Sequence, residues 1–364
     1  MDHRERFLRT FHFEEVDRVA DYEFGYWSET IDRWHREGLP LEVRNDVDVE
    51  LYLGLEGWDC GEWLPLHSGL WPPPPEKVIR REGNREIVED GMGGVFMWST
   101  NTSTPPHYIR CPLKNREDWE KLKPFFNSET PGRFPLDWDE ISEYYRERDY
   151  PVAIWIGSLY GWLRNWMGVH GISIAFYRDP DWVAEMMDTL VNLWTSIIRK
   201  ALRSVRVDCA TWWEDMCYSR GPLLSVPHFE EFMVPRYKKV TGVLKEYGVD
   251  INVLDCDGDI SLLVPGWLEA GINCMFPLEA RFNDIYRLRE RFGRRILFMG
   301  GVDKFALIKG EGAIDKELER LTPILEDGGY IPTVDHRCPP EISYSTYLYY
   351  LKKKRKWIGR NDIL

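Results

Sequence analysis

Three observations predict an α/β fold of the TIM-like (β/α)8 barrel type. Short apolar runs alternate with amphipathic helical stretches from about residue 150 onward. The series is long, and so many units over about 200 residues favour a closed barrel over an open doubly wound sheet. Nearly every apolar run stops at an acid, a glycine or a hydroxyl, as strands do where a barrel opens into its loops.

The elements follow in order. Residues 2–12 form an amphipathic helix with Phe7, Leu8 and Phe11 on one face. Arg18–Phe24 reads as a first strand running into Tyr26 and Trp27, and Ser28 is placed to cap a helix over Ile31–Glu37. The texture changes between about 56 and 113. Pro72–Pro75 precedes the alternating runs Lys77–Arg81 and Glu86–Glu89, split by Gly83 and Asn84, a pair suited to a tight turn. This is a β-hairpin excursion, about 72–113, inserted into a single barrel domain that spans 1–364. Asp118–Phe126 resumes a helical pattern.

From there the rhythm is regular. Val152–Ile156 is a strand ending at Gly157 and Ser158, and Asp181–Leu202 is the clearest helix. Val207–Trp213 is a strand ending at Glu214 and Asp215. Ser225 and Pro227 start a helix through Phe229, Phe232, Tyr237, Val240 and Leu244, which Pro235 should kink. Ile251–Leu254 drives into Asp255, Cys256, Asp257, Gly258 and Asp259, and a helix-like segment, Ile260–Ala270, follows. Ile272–Phe276 ends at Glu279, and Ile296–Met299 ends at Gly300 through Asp303. The helix Ala313–Leu325 leads to Tyr330–Val334, which stops at Asp335, His336, Arg337 and Cys338.

Composition narrows the function. Hydrophobic residues make up 43%, enough for a sizeable core. A net charge of −13 argues against nucleic acid as a partner. The basic run Lys352–Lys356 reads as the solvated end of the last helix. Seven cysteines without a Cys-x-x-Cys pair indicate reduced thiols, not a disulfide framework or a zinc finger. The charged N-terminus and the lack of a long apolar run point to a cytoplasmic protein away from membranes. The phosphate-loop, dinucleotide-binding, zinc-protease and serine-hydrolase motifs are missing.

The chemistry should lie where two strand ends converge. Asp255 and Asp257, spaced i, i+2, share a face if the strand continues, and His336 ends the last strand. Two carboxylates and a histidine can hold a divalent cation, with zinc the first choice because Cys256 and Cys338 lie next to them. A metal-free site is equally natural, with His336 exchanging protons and the acids as its partners. Asp259 and Asp303 each precede a helix and read as caps. Among the many aromatics, Tyr22, Tyr26, Trp27 and Trp213 are candidates to line a pocket for a flat, apolar ligand, with Glu279 as a polar contact.

Several segments together resemble the uroporphyrinogen decarboxylase superfamily: Arg4–Leu8 with Val16–Val19, Trp213–Met216, Asp255–Asp259, Phe276–Glu279, Gly300–Lys304, and Gly328–Pro332 with Asp335 and His336. The resemblance implies a TIM-like barrel, and either a haem-pathway type of decarboxylase or a cobamide-dependent methyltransferase. The decarboxylases carry an arginine-rich segment after the first strand. Here Glu23–Glu29 holds no arginine, so a polyanionic tetrapyrrole is a poor fit. His336 is similar to the family's histidine near the last strand. The methyltransferases that use coenzyme M place a His-x-Cys pair and a later Cys on zinc, where this chain has Asp255, Asp257 and His336. Such a set suits a Lewis acid acting on an ether oxygen better than one gripping a thiolate. No Asp-x-His-x-x-Gly corrinoid motif occurs, so a corrinoid should arrive on a partner protein. The expectation is a methyltransferase moving a methyl group from a small methylated donor, such as a methoxylated aromatic, to that corrinoid, with Glu214, Asp255 and His336 as catalytic residues. The alternative is a decarboxylase of a smaller acid.

Overall fold

A computed structural model describes residues 1–56, 62–90, 92–99 and 106–360. Among these residues, one sheet holds seven parallel strands in chain order: Glu62–Trp63, Val152–Gly157, Cys209–Trp213, Asn252–Asp255, Cys274–Phe276, Leu297–Val302 and Tyr330–Val334. Each strand lies beside its neighbour in sequence, as crossovers of one hand through intervening helices require. The result is a TIM-like barrel. Its interior is filled by alternate residues of successive strands, including Ala153, Cys209, Val253, Cys274, Phe276, Met299 and Ile331, packed with Phe7 and Phe11 of the first helix, His3–Phe11.

Arg18–Phe24 is not a ladder strand. The segment is extended and mostly buried, but the Val334 N–H donates to the Glu23 carboxylate at 3.1 Å and not to a backbone carbonyl. Backbone pairing starts only beyond it, where Cys338 N–H donates to Gly25 O at 2.8 Å and Tyr26 bridges Cys338. A side chain has taken the place of the main chain at the barrel seam.

The hairpin forms across Gly83 and Asn84, and Val95–Ser99 and His107–Arg110 extend it to a four-stranded antiparallel sheet. A helix that the periodicity concealed, Tyr160–Arg178, is interrupted by the left-handed backbone of Gly168. Pro235 falls where one unbroken helical run, 226–246, changes pitch. A π-turn over Phe229–Met233, with Val234 N–H donating to Phe229 O, precedes Val234–Glu246 and accommodates the N–H that Pro235 lacks.

The basic run at 352–356 also departs from expectation. Lys354 and Arg355 are buried, and the last helix, Tyr344–Trp357, turns them inward beside Tyr350 and Leu351. Lys354 Nζ lies 2.7 Å from Glu23 and 3.3 Å from Asp21, and Arg355 Nε lies 2.8 Å from Asp21. Among the described residues, no helix is long and apolar enough to cross a membrane.

Candidate active site

The strands Cys209–Trp213 and Asn252–Asp255 run in register, with Trp213 opposite Asp255. The Glu214 N–H continues the ladder to Asp255 O at 2.9 Å. Asp215 then takes a left-handed backbone with φ of 44°, and Arg164 donates to its carbonyl. This conformation is uncommon outside glycine, although aspartate tolerates it better than most residues. The turn brings Asp215 to the two acids of the neighbouring strand. Asp215, Asp255 and Asp257 each offer one oxygen, all within 4.8 Å of one another. Burial, and then the charge of Asp257, push the Asp215 carboxyl up to about 6. Asp257 Oδ1 is buried without a hydrogen-bond partner among the described residues.

The second strand end does reach this cluster. His336 Nε2 lies 3.6 Å from Asp257 Oδ2, and the imidazole leans on Trp27 and Phe24 at 5.6 and 5.7 Å between ring centroids. Gly258 clasps the loop between them. It has φ of +83°, and a Cβ there would sit 2.7 Å from the Tyr218 backbone. Glu279 accepts from Gly258 N–H at 2.8 Å and pairs with Lys304 at 3.0 Å, so it braces this loop. Asp335 does the same for the next loops, accepting from Ala280 N–H at 2.9 Å and Lys304 N–H at 3.0 Å. Burial pushes its carboxyl up to about 6.

Glu214 points elsewhere. It is fully buried and accepts from Leu159 N–H at 2.9 Å, Tyr160 N–H at 2.8 Å, Ser158 Oγ at 2.9 Å and Tyr237 OH at 2.7 Å. Burial raises its pKa, and these donors hold it down against that. The carboxylate ties the start of the helix Tyr160–Arg178 to the turn that carries Asp215. Its arrangement is that of an anchor.

Of the aromatic candidates, Trp27 and Trp213 flank the cluster. Tyr22 and Tyr26 do not. Both are buried, Tyr22 against His3 at the base of the barrel and Tyr26 against Tyr347 of the last helix. Tyr26 bridges Cys338 beyond the last strand, but its side chain turns away to Tyr347. Two tryptophans missing from the candidate pocket stand there instead. Trp63 and Trp155 meet edge to face at 6.3 Å, and Trp63 Nε1 donates to Thr211 Oγ1 at 3.0 Å. With Leu64, Pro65, Leu66 and His67 they line a cavity of about 480 Å³. The register sets Trp155 beside Thr211, two residues below Trp213 on the same strand face. Strand alternation could have singled out Trp155, but Trp63 sits on a two-residue strand with no sequence signal of its own.

A family model for uroporphyrinogen decarboxylase (URO-D) matches residues 88–356, well over half of the 364 residues. The chain belongs to the uroporphyrinogen decarboxylase family. The matched span holds the three aspartates and His336, while Trp27 and Trp63 precede it. A solved methyltransferase from Methanosarcina mazei is similar in fold, with a TM-score of 0.64 over 98% of each chain at 14% identity. At that identity the likeness is one of architecture.

The residues of the mouth fit a divalent cation. Three clustered carboxylates, one with a buried oxygen lacking a partner, and an adjacent imidazole are a suitable donor set. The soft donors invoked for zinc do not join it. Cys256 and Cys338 are buried, and Cys256 faces Cys217, with burial pushing its thiol up. Oxygen donors with one imidazole favour a harder ion, such as magnesium or manganese, over a thiolate-bound zinc.

Proposed function

We propose that this chain is a methyltransferase-like enzyme that takes the methyl group of a small methoxylated aromatic donor for a corrinoid carried by a separate protein. The family and the fold neighbour support methyltransferase-like or decarboxylase-like activity. The observations that carry the finer reading are the three-carboxylate cluster and a tryptophan-lined cavity on the preceding strands, whose Trp155 is in register with Thr211.

A polycarboxylated substrate would be repelled by Asp215, Asp255 and Asp257. The nearby cations are already engaged: Arg164 with the Asp215 carbonyl, Lys304 with Glu279, and Arg337 with Asp46. A flat, neutral ether meets no such penalty, and Trp63 and Trp155 offer it apolar ring surface. His336, oriented by Trp27, Phe24 and Asp257, is placed to give a proton to the oxygen that loses its methyl group. Glu214 keeps the Asp215 turn in place, and Glu279 and Asp335 hold the loops around His336. A divalent cation on Asp215, Asp255 and Asp257 would supply Lewis acidity toward that oxygen. A corrinoid carried by the partner would supply the nucleophile that accepts the methyl group.

The test offers methoxylated aromatics to the purified protein with manganese or magnesium and reduced cobalamin as acceptor, and measures the phenol released. The expected result is phenol formation that needs the acceptor and falls at least 100-fold in Asp257→Asn and His336→Asn. Activity surviving Asp257→Ala combined with His336→Ala would remove both residues from the mechanism. Carbon dioxide released from carboxylated aromatics without any corrinoid would establish the decarboxylase instead.

A further inference from the structure

A second polar cavity lies at the opposite end of the barrel. Its volume is about 300 Å³, at the lower bound of small-molecule sites. Arg4, Ser142, Arg146, Arg148 and Arg206 line it. These come from the first helix, from the segment that precedes Val152–Gly157, and from the loop that leads into Cys209–Trp213. The position is the N-terminal end of the strands, since Asp208 beside it accepts from Val152 N–H at 2.9 Å.

Four guanidinium groups around one cavity are unexpected in a chain of net charge −13. Asp208 offsets part of that charge, with one oxygen on Arg4 at 2.8 Å and the other on Arg148 at 2.7 Å. Both of its oxygens are thereby occupied. Arg146 pairs with Glu143 at 2.8 Å, where both side chains are largely exposed. Arg206 has no ion-pair partner among the described residues. Two buried donors on this lining are also unspent. The Ser142 hydroxyl, on a residue 4% exposed, has no hydrogen-bond partner, and neither has Arg148 Nε. A buried polar group without a partner is costly unless something supplies an acceptor.

We infer that this cavity binds a phosphate-bearing small molecule, separately from the chemistry at the mouth. A phosphoryl group accepts from several donors at once. It matches the Ser142 hydroxyl, the free Arg148 Nε and the positive field of Arg146 and Arg206. Binding would join three chain segments at the base of the barrel, the face associated with stability and not with catalysis.

The experiment titrates the full chain with inorganic phosphate at constant ionic strength, by calorimetry and by thermal melting, with chloride and succinate as comparators. The expected result is one phosphate per chain, a melting temperature that climbs with the logarithm of phosphate concentration, and succinate at least ten-fold weaker. Arg146→Gln combined with Arg206→Gln alters two exposed side chains, so the fold should be kept while affinity falls ten-fold or more. Ser142→Ala should weaken binding about ten-fold, as loss of one hydrogen bond to an ion does. Absence of saturable binding would overturn the inference. So would unchanged affinity in the double variant, which would place the phosphate elsewhere. Succinate binding more tightly than phosphate would overturn the ligand class.

Discussion

Replacing Lys354 with methionine should cost about 3–5 kcal/mol of stability, although its hydrogen-bond and ion-pair partners among the described residues are Glu23, Asp21 and the Tyr22 carbonyl and none of the proposed catalytic groups. Lys354 is 0% exposed and donates to Glu23 Oε1 at 2.7 Å and to the Tyr22 carbonyl, with Asp21 Oδ1 at 3.3 Å. The two acids would fare differently without it. Asp21 keeps Arg355 at 2.8 Å and Arg360 at 2.9 Å. Glu23 loses its cation and keeps only neutral donors, Val334 N–H at 3.1 Å and Tyr350 OH at 2.9 Å. Burial already holds the Glu23 carboxyl above its ordinary value of 4.5 with the ammonium in place. Removing the ammonium raises it further. A folded-state pKa above the unfolded one means that folding takes up a proton. The variant's deficit should therefore be largest at pH 8 and shrink toward pH 5, with a slope approaching about 1.4 kcal/mol per pH unit. In urea, the midpoint at pH 8 should drop by about 1 M or more. Glu23→Gln in the same chain should restore much of the loss, because a neutral amide need not be paired with a cation. A deficit under about 1 kcal/mol, a deficit independent of pH, or no rescue by Glu23→Gln would each refute this account of the buried pairs.

Two further outcomes concern buried carboxyls. Glu50 is buried, its Oε1 has no partner, and burial together with Asp46 and Glu23 pushes its pKa up to about 8. Its contribution to stability is full below about pH 4.5 and is lost as pH rises toward 8. Glu50→Gln should thus stabilise the protein by about 2 kcal/mol at pH 8 and flatten the stability profile between pH 5 and 8, as thermal melts would show. Glu214→Gln should destabilise by about 2–3 kcal/mol at pH 7, because an amide NH2 cannot accept from the N–H and O–H donors that converge on Glu214. An unchanged melting temperature in this variant would disprove the anchoring role, and intact folding with lost turnover would return Glu214 to the chemistry.

The sequence by itself determined the alternation of strands and helices, the hairpin at Gly83 and Asn84, and the meeting of Asp257 with His336. Periodicities of 2 and 3.6 residues are local properties, and a barrel brings the C-terminal ends of its strands to one mouth wherever they lie in the chain. Only the tertiary structure decided which polar residues have partners. Asp215 joins the cluster through a left-handed turn, and Glu214, its neighbour, turns away to Ser158, 56 residues earlier. Tyr22 and Tyr26 end in the core because the segment carrying them runs through the barrel seam. Lys354 reads as a surface lysine in a basic run, yet it is buried against Glu23, 331 residues away. A charged side chain enters a core only if an opposite charge is already held there, and that pairing is set by packing between distant segments, which no local pattern records.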